Sequence, residues 1–307
     1  MGQSNALPDF LLHVGYYKTA TTFLQSEIFT DRLGVLSLGK PTSERWPSLL
    51  VQQATTQPEG AFDVESWSAQ VRRATADWAA THDGSPCKLV FSHESLTAPE
   101  AYAGDDPTLL PQRLRAVFGE AAQVLITIRE QSALVESLYL HDSKPSRATS
   151  MEQWLRDNEA DVAGLDYAQR FESFEAVFGA DNVFVLPQEL LKANDTSAAA
   201  RLAMLLNLDE KDVLTRLRAA RPRNTRRSRR ELVFNRMRAR VAPNTPLGLL
   251  LPSPVRKTVR RFVRGGAPAA DVMSGSVRAR IRNRFRHSNA ALARKTALPL
   301  GFLGYSM

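Results

Sequence analysis

With 307 residues, 43% hydrophobic and 23% charged, the chain can form one large α/β domain or a core carrying a substantial lid. No apolar run approaches the ~18 residues that span a bilayer, and Met1–Pro8 lacks the basic flank and apolar stretch of a signal peptide. A single cysteine, Cys87, rules out an internal disulfide and a cysteine-rich metal site, so a reducing cytoplasm is the expected setting. The net charge of +8 divides into −13 over residues 1–215 and +21 over residues 216–307, where only Glu231 and Asp271 are acidic. That asymmetry raises nucleic acid as a partner.

The first predicted element is a buried strand over residues 10–14, ending in Gly15-Tyr-Tyr-Lys18-Thr19-Ala20-Thr21-Thr22 before an amphipathic segment. Strand, loop and helix N-terminus bring backbone N–H groups, hydroxyls and one ammonium to a point suited to an anion. The loop differs from GxxxxGK[ST], because Gly15 lies only three residues before Lys18 and the first Gly is missing. A short strand is expected near 33–37 and a core strand at 88–92, followed at once by His93 and Glu94. Ser92 or Ser95 there also has the chemistry of a helix cap.

Val124–Ile128 is a β-branched run with Arg129 at its end, and Ser137 follows eight residues later on a helix over 131–141. A guanidinium fork and a hydroxyl on the next helix are apt phosphate donors. Residues 165–179 read as a helix closed by Gly179, and 183–187 as a last strand followed by Glu189. In the basic portion, Arg221–Arg230 holds six arginines around a helix-breaking Pro222. Arg229–Val241, Pro254–Val263 and Ser276–Arg294 are predicted helices, with Gly265–Ala270 as a connector. Few aromatic residues are interleaved with these arginines, which argues against a single-strand nucleic-acid platform. A basic lid over an anionic ligand, or simple docking on the acidic portion, accounts for the charge equally well.

The loop Gly15-x-x-Lys18-Thr19-x-Thr21-Thr22 resembles the 5′-phosphosulfate loop of sulfotransferases that use 3′-phosphoadenosine 5′-phosphosulfate (PAPS). In that family a strand-end Arg and a Ser eight residues on grip the 3′-phosphate, as Arg129 and Ser137 would; Gln131 departs from the Pro common in relatives. The progressions Tyr167…Phe178-Gly179…Glu189 and Asn289…Tyr305 are also similar to bacterial members. The resemblance implies a P-loop-like three-layer fold with a central parallel sheet, a single domain with an α/β core over 1–215, and a basic helical lid over 216–307. It implies PAPS as donor, no metal, and a hydroxyl or amine acceptor, carbohydrate or glycolipid by family habit. Gly15, Lys18, Thr19, Ala20, Thr21 and Thr22 would then hold the 5′ end of the donor, Arg129 and Ser137 the 3′-phosphate. A late basic loop would close over it through Arg223, Asn224, Thr225, Arg226 and Arg227. Lys18 would stabilise charge on the leaving phosphate.

The base is open between Glu94, which matches a Ser-x-Glu pattern of bacterial relatives, and His93, with Glu27 and His141 in reserve. His13, inside the first strand, reads as a core residue or one supporting the site from behind. The rivals are a kinase on the same architecture and a non-catalytic polyanion binder using the arginine-rich portion. The sequence does not fix the oligomeric state.

Overall fold

Val, Ile, Leu and Phe dominate five short runs, and runs buried on both faces are what a parallel sheet demands. In the computed structural model these are β1 (Phe10–Gly15), β2 (Val35–Gly39), β3 (Lys88–Ser92), β4 (Gln123–Ile128) and β5 (Val183–Pro187). The structure describes residues 10–40, 42–82, 86–98, 106–142, 150–219 and 272–307, with positions 234, 237 and 258 besides. The five strands form one parallel sheet in the order β2-β3-β1-β4-β5. The expected α/β architecture around a central parallel sheet is therefore present. Four strands fall within a residue of their expected bounds. The second begins two residues late, because Asp31–Leu33 makes a 3₁₀ turn closed by Gly34 in left-handed conformation.

The register puts Leu11 beside Val90 and Phe10 beside Leu89, so alternate residues feed two separate cores. Leu11, Val90, Leu125 and Leu186 join Leu24, Ile28 and Phe29 from the segment after β1 in one of them. The helices Thr196–Leu206 and Glu210–Ala219 close that core through Leu202, Leu205, Leu206, Val213 and Leu217. On the opposite face, Phe118 of the helix Leu109–Phe118 packs its ring 5.1 Å from Phe10 and 4.9 Å from Phe91.

Two compact units emerge: Met1–Glu130 with Ala163–Ala220 and Phe285–Met307, which holds the sheet, and Gln131–Val162 with Arg221–Arg284. The second contains the helix Gln131–Asp142, where Arg278 faces Glu136 at 3.9 Å and the backbone N–H of Val272 donates to the same carboxylate at 2.9 Å. The basic helix Gly275–Thr296 covers the predicted 276–294. Its Lys295 pairs with Glu175 at 2.6 Å and Glu172 at 3.6 Å, and its Arg284 with Glu159 at 2.6 Å. Part of the basic portion is thus neutralised by acidic helices. The predicted helices 229–241 and 254–263, apart from the helical positions 234, 237 and 258, the connector 265–270, and Arg223, Asn224, Thr225, Arg226 and Arg227 lie outside the described residues. No described helix is long and apolar enough to cross a membrane.

Candidate active site

In an open parallel sheet, ligands gather beyond the carboxyl ends of the strands. The order β3-β1-β4 puts three of the sequence-derived segments side by side there: Ser92-His93-Glu94, the Lys18 loop and Arg129. Gly15 is required at the exit of β1, since a Cβ on it would lie 2.5 Å from Thr21 Cγ2, 2.7 Å from Thr127 Oγ1 and 2.9 Å from His13 Nε2. The loop then turns through left-handed backbone at Lys18 (φ 67) and Ala20 (φ 70), an arrangement that costs a non-glycine residue ~1 kcal/mol. Thr21–Phe23 starts a helix that widens to a π segment over Leu24–Ile28, a rare form found often at functional sites. The first N–H groups of a helix have no acceptor within it, and Thr21 and Thr22 hold those positions here.

The four hydroxyl and alanine positions of the loop differ in their commitments. Thr22 is exposed. Thr21 Oγ1 donates to Glu94 Oε1, joining the loop to the candidate base segment. Thr19 departs from the sequence reading: it is buried, with its hydroxyl and backbone N–H both donating to the Tyr16 carbonyl, at 2.6 and 3.3 Å. Arg129 comes to the same place across 111 residues, donating from Nη1 to the Lys18 carbonyl at 3.4 Å. Ser137 is half-buried on the helix Gln131–Asp142.

His93 is held by structure around it. Its Nδ1 accepts the Ser95 N–H at 3.2 Å, so the cap of the Glu94–Thr97 turn is His93 and neither Ser92 nor Ser95. With Nδ1 accepting, Nε2 carries the proton and faces Ser48 Oγ at 3.2 Å. Burial, assisted by the Lys40 charge, pushes its pKa down to about 4. Glu94 is half-buried with its carboxylate on Thr21. Glu27 accepts from Ser26 Oγ at 3.2 Å, and the exposed His141 lies 3.3 Å from Asp142.

Several supporting residues carry no motif of their own. Tyr167 donates its hydroxyl to the Arg129 carbonyl at 2.7 Å. Glu189 accepts the Glu130 N–H and the Tyr305 hydroxyl, both at 3.0 Å. These bonds fix the strand end that presents Arg129. They give a structural reason for the spaced Tyr, Glu and Tyr noted in the sequence. Tyr17, exposed in the loop, reaches Ser95 Oγ at 3.2 Å.

The chain is similar in structure to the sulfotransferase from Alicyclobacillus acidocaldarius, with a TM-score of 0.55 and 14% identity over 97% of this chain and 99% of that one. The fold is that of a sulfotransferase. A second neighbour, the sulfotransferase domain of the Synechococcus PCC 7002 olefin synthase, aligns over 92% of this chain and 96% of that one at 11% identity and a TM-score of 0.39. No family model matches the sequence, and no curated protein matches it. Among the described residues no three His, Cys, Asp or Glu side chains group as a metal site would require.

Proposed function

We propose that this protein is a sulfotransferase that moves the sulfuryl group of PAPS onto a hydroxyl or amine of a small-molecule or glycan acceptor. The observation that carries the reading is the convergence of the Lys18 loop, Glu94 and Arg129 at the carboxyl ends of three adjacent strands, joined by the Thr21–Glu94 and Arg129–Lys18 hydrogen bonds. The donor set suits a bisphosphate: an ammonium, a guanidinium and the first N–H groups of a helix offer cations and N–H donors to anionic oxygens. The sulfotransferase fold supports the same reading.

When bound, the donor supplies a sulfur–oxygen bond whose cleavage leaves charge on its 5′-phosphate. Lys18 and the N–H groups at Thr21 and Thr22 would stabilise that charge. Arg129, with Ser137 assigned by its sequence spacing, would hold the 3′-phosphate, and Arg226 would act from the basic portion. Glu94 would take the acceptor proton, because its carboxylate accepts at the loop itself, whereas His93 has Nδ1 committed to a cap and Nε2 facing Ser48. A carbohydrate or glycolipid acceptor and a cytoplasmic setting, which suits the lone Cys87, complete the proposal. Differential scanning fluorimetry tests it. Stabilisation by 3′,5′-bisphosphoadenosine without magnesium is expected, whereas a shift that requires ATP and magnesium would support phosphoryl transfer instead.

A further inference from the structure

Beneath the loop lies a chain of buried polar side chains from four segments. His13 Nδ1 lies 2.7 Å from Ser92 Oγ, and His13 Nε2 lies 3.2 Å from Thr127 Oγ1. Thr127 Oγ1 is 2.9 Å from Thr19 Oγ1, Thr19 Oγ1 donates to the Tyr16 carbonyl, and Gln25 Nε2 donates to Ser92 Oγ at 2.9 Å. His13, Thr19, Ser92 and Thr127 are 0% exposed, so these bonds form away from bulk solvent.

The direction of the chain follows from its ends. Thr19 gives its only proton to Tyr16, so it accepts from Thr127; Thr127 in turn accepts from His13, which therefore carries its proton on Nε2. His13 Nδ1 is then an acceptor for the Ser92 hydroxyl, whose oxygen is left to accept from Gln25. Every link is used once. Only a neutral imidazole satisfies it, and complete burial holds His13 in that form, with its pKa pushed down to about 3.

We infer that His13 is a positioning residue: through Thr127 and Thr19 it fixes the Tyr16–Thr19 turn of the phosphate loop, and through Ser92 it sets the His93-Glu94 segment in register with that loop. The backbone agrees, since the Tyr16 N–H donates to the Thr127 carbonyl at 3.4 Å and the His93 N–H to the His13 carbonyl at 3.4 Å. Gly15 leaves no slack above the imidazole, its absent Cβ being where Thr127 Oγ1 and His13 Nε2 already press. The inference rests on the loop being the 5′-phosphate site proposed above.

Two substitutions separate positioning from mere packing, because the two ring nitrogens face different partners. The His13→Gln amide reaches to the Nε2 position and can still donate to Thr127; the His13→Asn amide reaches only the Nδ1 position and serves Ser92. Both lose one link and both should be less stable. Calorimetry with 3′,5′-bisphosphoadenosine and with adenosine 3′-monophosphate isolates the 5′-phosphate contribution. His13→Asn and the isosteric Thr19→Val should lose about tenfold or more in affinity for the bisphosphate and little for the monophosphate, while His13→Gln stays near wild type. Equal losses in Gln and Asn variants, losses shared by both ligands, or an unaffected Thr19→Val protein would overturn the inference. Wild-type protein that binds neither ligand would instead overturn the PAPS reading on which it rests.

Discussion

Lys18 lies in the loop after β1 and Glu94 in the segment after β3, joined to that loop through Thr21, and their side chains carry the chemistry proposed for the site. Lys18→Ala should lower turnover by about 10²-fold or more, because a donor aimed at developing charge is worth that much. A half-exposed loop side chain contributes little to packing, so the melting temperature should barely move. Near-normal sulfation by this variant, measured as bisphosphoadenosine release, would remove Lys18 from the chemistry. Glu94→Gln preserves shape and the Thr21 contact but cannot accept a proton. Turnover should fall by roughly 10²–10⁴-fold with little change in donor affinity, and an active variant would move the base elsewhere. Lys18, Glu94 and Arg129 are legible in the sequence because each lies within three residues of the end of a largely apolar strand. The fate of Thr19 is not legible, for its hydroxyl turns inward to partners that the sequence does not place beside it.

At the scale of elements, strands are the easiest to read: runs such as Val124–Ile128 are apolar but for Thr127, as burial on both faces favours. Pairing is another matter. His13 meets Ser92 across 79 residues and Thr127 across 114, so the polar network exists only once β1 lies between β3 and β4. The loop has left-handed backbone at Ala20, where glycine is free of the Cβ penalty. Ala20→Gly should therefore raise stability by about 0.5–1 kcal/mol, read from denaturant midpoints at constant m. A lower midpoint would mean that the alanine methyl packs well enough to offset its backbone cost.

For the whole molecule, the uneven charge invites a nucleic-acid partner, yet part of the positive portion is tied to Glu136, Glu159, Glu172 and Glu175. The sequence shows the imbalance but not the pairing, since each acid lies more than a hundred residues from its partner. Acid stability is a second global property. His13 and His93 have native pKa values of about 3 and about 4 against 6.5 when unfolded. Between roughly pH 6.5 and those values the unfolded chain binds more protons, so stability must fall as pH falls through that window. The partners of His13, namely Ser92, Thr127 and the Phe29 ring, carry no charge to compensate, and neither does Gln25 behind Ser92. Chemical denaturation at pH 7 and pH 5 should show this loss, and a shallower slope in His13→Gln. An unchanged slope in that variant would mean that His13 is not held neutral.

The carboxyl end of this sheet is proposed to grip a nucleotide phosphorylated at both ends. Calorimetry of wild-type and Arg129→Ala proteins with 3′,5′-bisphosphoadenosine and with adenosine 5′-monophosphate tests it directly. Wild type should prefer the bisphosphate, and Arg129→Ala should lose roughly 1.5–3 kcal/mol for that ligand while binding the monophosphate as before. No preference in the wild type, or equal weakening of both ligands in the variant, would contradict it.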